Sequence, residues 1–468
     1  LFLFHFAKIL AIFRLNKNEP AFIMKNITIL GAGRSATALI HYALETAKQH
    51  NWFVTVADAD IALASQKVNN HPNGRAVYLD ALDTMQRQEL IKKADLVISL
   101  LPPHLHILAA RDCVHLGRHL VNASYLTKDL KDLDSVVREK GLTFMGEMGL
   151  DPGIDHMSAM QKIHEIREKG GKLLAFRSFT GGLIAPESDD NPWHYKFTWN
   201  PRNVVLAGQG TAQYLEEGQI KYLPYSRLFK RFWNIEVDGL GQYEVYANRD
   251  SLPYRELYEL QDIPTLLRGT IRAGGFCQAW DALAQLGLTD ASYTLDHAAG
   301  WTYSDWLESY LPAGGKGTLQ ERVAQLLGIA PGSEPIRKME WLGLFGKDPI
   351  PALQHTSPAF ILEDLLLKKW QLRPADKDMI IMQHQFEYEL EGKRRKLSST
   401  LVMKGEDEHQ TAMARLVGLP LGIFSKLLLE GKVQAPGVHI PVMKEVYEPV
   451  LAELAHFGVE FEDKEEEA

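Results

Sequence analysis

Between Met24 and Leu150 six short apolar runs alternate with helical segments, and this alternation constrains the fold more than any other feature of the chain. The runs are Ile27 to Leu30, Phe53 to Asp58, Ala76 to Asp80, Leu96 to Pro102, His119 to Ser124 and Thr143 to Met148. Each is near-continuously apolar rather than alternating, which is the pattern of strands covered on both faces. The segments between them, such as 35–49, 83–93 and 104–116, carry helical periodicity. Strands spaced by helices in this way predict an α/β fold, a doubly wound parallel sheet of the Rossmann type.

The first run leads into "GAGRSA", Gly31 to Ala36. Alone, Gly-x-Gly-x-x-Ala is weak, because glycine pairs occur in many turns. After a strand and before a helix it has a mechanical reading. Gly31 allows the tight turn, Gly33 lets backbone approach a pyrophosphate, and Ala36 lets the helix pack close. The helix N-terminus, with Arg34 and Ser35 in the turn, faces the phosphate charge. Asp58 ends the second run, 22 residues after Ala36. A carboxylate there would accept hydrogen bonds from the adenine ribose of NAD and repel a 2′-phosphate, and "VADADIA" offers no arginine. NAD is therefore expected in preference to NADP. The alternative is that Asp58 merely caps the next helix. Asp80, ending the third run, would border the adenine.

Past Leu150 the character changes. "GLDPGIDH" is a turn entering a helix, followed by strands and loops and then a mostly helical stretch. Strands return in "DMIIMQHQFEYELEGKRRKLSSTLVMKG", a hairpin turning at Glu391–Gly392. An amphipathic stretch from Thr411, a helix, a last strand and an acidic tail follow. The expected organisation is a nucleotide domain over 24–150, a mixed α/β substrate domain over 151–275 and 376–435, and a helical insertion over 276–375.

Four clusters carry candidate chemistry. Ser124 and Tyr125 follow the fifth run at the strand edge where ligands sit, although Tyr125 also reads as a half-buried aromatic. Asp151 and Asp155 flank a rigid turn near that edge. Asp151 is placed to order a water, hold a substrate ammonium or cap the helix that follows. "NRDS" brings Arg249, and "LRGTIR" brings Arg268, Thr270 and Arg272. Arginines in neutral loop sequence suit a substrate with several carboxylates. The aromatic run Asn191 to Pro201 reads as core, with loop contacts possible at Asn200.

Composition narrows the class. The net charge is −8 without a long basic run, which argues against a nucleic-acid surface. Cys113 and Cys277 form no Cys-x-x-Cys pair, so no disulfide framework is expected and a reducing compartment fits. The 17 histidines show no metal-ligand spacing, so no metal is expected. The apolar 1–23 is too short and too interrupted, by His5 and Lys8, for a span. The chain is expected to begin naturally at Met24, as a cytoplasmic enzyme without a membrane partner.

Taken together, "GAGRSA", "DLVISLLP", "GLDPGIDH", "GGLIAPESDDNPWHYKFTW", "NRDSLPY", "RGTIR" and "TAMARLVGLP" resemble the saccharopine dehydrogenases of the L-glutamate-forming type. The resemblance covers most of the chain from Met24. It implies a nicotinamide-dependent enzyme that interconverts saccharopine with L-glutamate and 2-aminoadipate 6-semialdehyde, a small amino-acid substrate. It implies that the C-terminal segment, about 436–468, packs back on the first domain, and a homodimer is the expected assembly. By resemblance Ser124, Tyr125, Asp151, Arg249, Thr270 and Arg272 hold saccharopine, and Leu101, Ala123, Leu150, Pro152 and Asn200 lie beside the cofactor. Asp151 and Tyr125 are the candidates for proton transfer. Two departures stand out. Fungal members that use NADP carry a Cys-Arg-Thr run where this chain has Asp58, Ala59 and Asp60, and Pro102–His104 replaces a Pro-Tyr-Thr-like run at the nicotinamide pocket. Two other readings remain: a dehydrogenase of another carboxylated secondary amine such as carboxynorspermidine, and a non-catalytic NAD-binding sensor. The intact arginine loops weigh against both.

Overall fold

The computed structural model describes residues 24–467 apart from Gly208 and His297; the expectation placed on 1–23 concerns residues outside it. In chain order the strands are β1 (Asn26–Leu30), β2 (Phe53–Asp58), β3 (Gly74–Tyr78), β4 (Leu96–Ser99), β5 (His119–Asn122), β6 (Thr143–Met145), β7 (Lys172–Ile184), β8 (Ala212–Glu216), β9 (Gln219–Leu223), β10 (Phe232–Val237), β11 (Gly241–Ala247), β12 (Thr265–Arg272), β13 (Asp378–Leu390), β14 (Lys393–Lys404), β15 (Gly437–His439) and β16 (Glu462–Glu467).

The first sheet is parallel, in the order β15-β6-β5-β4-β1-β2-β3. Ile29, Leu30, Val54, Val56 and Leu96 to Ile98 are fully buried, which explains the unbroken apolar runs: helices cover both faces. The order reverses at β1 and β4, where a crevice opens at the carboxyl ends of the strands. The third strand lies two residues earlier than its apolar run suggested, so Asp80 falls in the turn beyond it.

The second sheet is mixed, in the order β10-β11-β12-β7-β13-β14-β16, with β8 pairing both β12 and β9. The hairpin of β13 and β14 turns at Glu391 and Gly392, both at positive φ, the backbone a two-residue turn requires. Helices Phe276–Gln285, Tyr303–Glu308, Leu319–Leu327, Glu334–Leu342 and Pro358–Lys369 follow β12, and their apolar faces share one core with that sheet.

Two parts differ from the sequence expectation. The helix Ala412–Leu429, assigned above to the substrate domain, starts against β13, where Asp378 accepts from the Ala412 and Met413 N–H groups, and packs along the first domain as well. A Cβ on Gly418 would stand 2.6 Å from the backbone nitrogen of Leu39, and one on Gly422 would stand 2.4 Å from the Tyr42 ring. This helix is apolar enough and long enough to cross a membrane, and 78% of it is buried inside the protein. Its composition reflects contact on every side rather than one amphipathic face. The acidic tail is β16, and it joins β14 of the second sheet. Its charges face cations: Lys393 meets Glu467 and Arg395 meets Glu465, each at 3.0 Å. Of the C-terminal segment, β15 extends the first sheet while β16 extends the second.

Candidate active site

The glycine turn lies between β1 and the helix Thr37–His50. Gly31 sits at φ +105°, and a Cβ there would stand 2.8 Å from the Leu100 carbonyl oxygen, so only glycine fits. Gly33 is exposed, and a Cβ there would meet nothing within 4 Å. The space over Gly33 is what a pyrophosphate needs to reach the backbone. Ala36 is fully buried, Ser35 is half-buried and Arg34 is exposed.

Asp58 anchors this turn from the neighbouring strand. Its Oδ2 accepts from the Ala32 N–H at 2.6 Å and its Oδ1 from the Asp60 N–H at 2.8 Å. The cap of the next helix is Asp60, which accepts from Leu63 N–H at 3.0 Å, so Asp58 is not needed as a cap. Lys67, on that helix, donates to the Gly33 carbonyl. Burial pushes its ammonium down to about 8, opposed by the charge of Asp58.

A nicotinamide dinucleotide fits this cradle. Gly31 to Ala36 would carry its pyrophosphate and Asp58 its ribose. Leu101 and Ala123, half-buried just past β4 and β5, flank the other end. Leu150 and Pro152 are buried in the turn that carries Asp151. Asp80 and Asn200 direct their carboxylate and amide to local turns: Asp80 accepts from Leu82 N–H at 2.9 Å and Asn200 caps the short helix Pro201–Val205.

At the carboxyl edge of β5, the Asn122 side chain accepts from the Ser124 N–H at 2.9 Å and fixes the bend that presents Tyr125. The Tyr125 hydroxyl donates to Asp151 Oδ1 at 3.0 Å. Arg268, from β12 of the other sheet, donates to the same oxygen at 2.7 Å and also pairs with Asp155. Its guanidinium lies 4.1 Å from the Tyr254 ring centroid, and that of Arg249 lies 4.5 Å from the Tyr125 ring centroid. Arg249 holds a positive φ in an exposed loop. Burial raises the Tyr125 phenol well above its ordinary range, and Asp151 adds to this against the nearby arginines. Tyr125 is therefore a hydrogen donor. The second oxygen of Asp151, Oδ2, receives no protein hydrogen bond among the described residues.

Behind this pair, Glu147 accepts from Leu126 N–H at 3.0 Å and meets His156 Nε2 at 2.8 Å, and His156 Nδ1 meets the Tyr258 hydroxyl at 2.6 Å. These residues escaped the sequence reading, as did the ion pair of Arg268. The Thr270 hydroxyl accepts from Asn248 at 3.0 Å. Arg272 is buried at 3% exposure, with its guanidinium near the rings of Tyr195, Tyr246 and Phe276. Its Nη1 donates to the Ile271 carbonyl at 3.1 Å, its Nε has no partner, and among the described residues it forms no ion pair.

Residues 27–145 match the model of the saccharopine dehydrogenase NADP binding domain, and residues 149–459 that of the saccharopine dehydrogenase C-terminal domain. The chain belongs to the saccharopine dehydrogenase family. Among its relatives is a saccharopine dehydrogenase (NADP(+), L-glutamate-forming) of Schizosaccharomyces pombe, 30% identical over 450 residues that cover 94% of this chain and 99% of the relative. Its namesake from Saccharomyces cerevisiae is 32% identical, over 94% and 99%. An alpha-aminoadipic semialdehyde synthase of Arabidopsis thaliana is 31% identical over 96% of this chain but only 46% of its own length, so this chain spans about half of that protein. The solved apo saccharopine dehydrogenase (L-Glu forming) of Saccharomyces cerevisiae superposes with a TM-score of 0.85 at 30% identity, covering 94% of this chain and 100% of that one. The family fold is thus an α/β one in which a parallel Rossmann sheet meets a mixed second sheet. The domain model and the fungal relatives carry NADP in their descriptions, so the preference for NAD drawn from Asp58 finds no support in them.

Proposed function

We propose that this family member oxidises saccharopine with a nicotinamide dinucleotide and water, giving L-glutamate and 2-aminoadipate 6-semialdehyde in a reversible reaction of lysine metabolism. The observation that carries the reading is Arg272, a buried guanidinium without a carboxylate of its own. A buried cation needs an anionic partner, and saccharopine brings three carboxylates. Ser124, Arg249 and Thr270 are the other groups assigned to them.

A bound dinucleotide supplies the hydride acceptor. The carbon beside the amine nitrogen loses hydride, and the resulting imine takes up water. The carbinolamine then collapses to aldehyde and glutamate. Asp151 Oδ2 is the oxygen assigned to move protons to and from the amine and the water, because Oδ1 is occupied by Tyr125 and Arg268. Tyr125 orients that carboxylate rather than acting as a base.

The finer choice of nucleotide is part of the proposal. NAD is favoured by Asp58, Ala59 and Asp60 alone, since a 2′-phosphate would enter beside a carboxylate already held by two backbone N–H groups. Absorbance of the reduced nicotinamide, followed with saccharopine and each dinucleotide in turn, tests both levels. Faster turnover with NAD supports the whole reading. Faster turnover with NADP keeps the substrate and discards the Asp58 argument. No turnover with either removes saccharopine as the substrate.

A further inference from the structure

His106 opens the helix His106–Leu116 and is buried at 2% exposure, directly behind the residue that faces the substrate end of the crevice. Both ring nitrogens are engaged by serine hydroxyls. Nδ1 lies 2.8 Å from Ser99 Oγ at the end of β4, and Nε2 lies 2.9 Å from Ser124 Oγ just past β5. Burial, with a smaller contribution from His104, pushes the imidazole down to about 4, so the ring is neutral around pH 7. A neutral ring donates from one nitrogen and accepts at the other.

The serines decide which. Ser99 is fully buried, and among the described residues its hydroxyl meets one partner, His106 Nδ1. If Nδ1 carried the proton, the hydrogen of Ser99 would be buried without an acceptor, a costly arrangement. Ser99 therefore donates to Nδ1, and the ring proton sits on Nε2, directed at Ser124 Oγ. The oxygen of Ser124 is then an acceptor toward the ring. Its own hydrogen is left to point away from the ring, into the half-buried site.

We propose that His106 is a positioning residue that fixes Ser124 as a hydrogen-bond donor to a substrate carboxylate. The relay of Ser99, His106 and Ser124 ties the hydroxyl's direction to two strands of the parallel sheet, so the donor is set before substrate arrives. This rests on the saccharopine reading for the ligand, but the tautomer does not.

Two measurements test it. Long-range proton–nitrogen correlation spectra of the histidine-labelled protein, with the signal assigned by its loss in His106→Gln, should show a neutral ring protonated at Nε2. A ring protonated at Nδ1, or at both nitrogens near pH 7, overturns the proposal even if the enzyme acts on another substrate. The second measurement is a double-mutant cycle on the saccharopine KM. Ser124→Ala and His106→Leu should each raise KM by about tenfold or more, the effect of one lost hydrogen bond to a charged group, with kcat little changed. The double variant should be no worse than Ser124→Ala alone. His106→Gln, whose amide nitrogen can stand in for Nε2–H, should recover most of the loss. Additive losses, or no rescue by glutamine in a protein that folds normally, overturn it. If the unaltered protein does not turn over saccharopine, the functional reading fails while the tautomer still decides this one.

Discussion

Arg268 and Asp151 lie 117 positions apart in the chain and meet at 2.7 Å, joining the second sheet to the turn that follows the first. The same guanidinium holds Asp155, so one arginine fixes both acids of "GLDPGIDH". Burial disfavours its charge, but the two carboxylates more than compensate and keep it protonated. The carboxylate assigned to proton transfer is thereby oriented from one sheet and carried by the other.

Asp151→Asn should lower kcat by about 100- to 10,000-fold, the range of a general acid–base group, while leaving nucleotide affinity near its original value. Tyr125→Phe should cost far less, about tenfold, because the phenol orients and does not accept the proton. Steady-state kinetics and a nucleotide titration on the two variants check this. Equal losses would place the proton on Tyr125.

Arg272→Met should raise the saccharopine KM by about 10- to 100-fold, the loss of a charge-assisted hydrogen bond. The melting temperature without substrate should not fall, since replacing a buried guanidinium that has no carboxylate partner with an apolar side chain removes a desolvation cost. A large drop in melting temperature with unchanged KM would make Arg272 a structural residue.

The two turn glycines should separate binding from stability. Gly33→Ala places its methyl in open space at φ −61°, so unfolding should be unchanged while dinucleotide affinity falls about tenfold or more. Gly31→Ala meets the Leu100 carbonyl at a positive φ and should destabilise the protein by about 2 kcal/mol as well. Thermal unfolding alongside nucleotide titration distinguishes the two.

The pair of Glu147 and His156 predicts a response to acid. Burial pushes the Glu147 carboxyl up, but the hydrogen bond and charge of His156 and the Leu126 N–H pull it below its ordinary 4.5. Its contribution to stability is then fully present above pH 4.5 and is lost as pH falls through its lower folded value. Glu147→Gln should cost about 3 kcal/mol at neutral pH, the scale of a broken buried pair, and should flatten the acid limb of melting temperature against pH. An unchanged acid limb would remove Glu147 from that role.

Much of the first sheet was legible because strands buried on both faces leave apolar runs such as Leu96 to Ile98 that need no context. The turn at Glu391–Gly392 was legible for a local reason, a glycine between two strand-like runs, and both turn residues hold positive φ. The packing of the helix Ala412–Leu429 along the first domain was not legible, because an apolar helix records that it is covered, not by what. The acidic strand was misread because its partners Lys393 and Arg395 lie about seventy positions away. The same limit applied at the site. Tyr125 and Asp151 stand at strand ends that the alternation locates, whereas the ion pair of Arg268 and the contact of His156 with Tyr258 arise only when distant segments meet. The short-range contacts of His106 and of Glu147 with His156 carry no sequence periodicity that marks them.

The order of the strands has a consequence for biosynthesis. A nascent chain that has emerged through Lys404 still leaves β6 without its β15 neighbour and β14 without β16. Each sheet gains a terminal strand only from the stretch between Gly437 and Glu467, so both sheets depend on the same late-synthesised segment. Until then β6 and β14, which the finished sheets cover, present unpaired backbone groups to neighbouring chains.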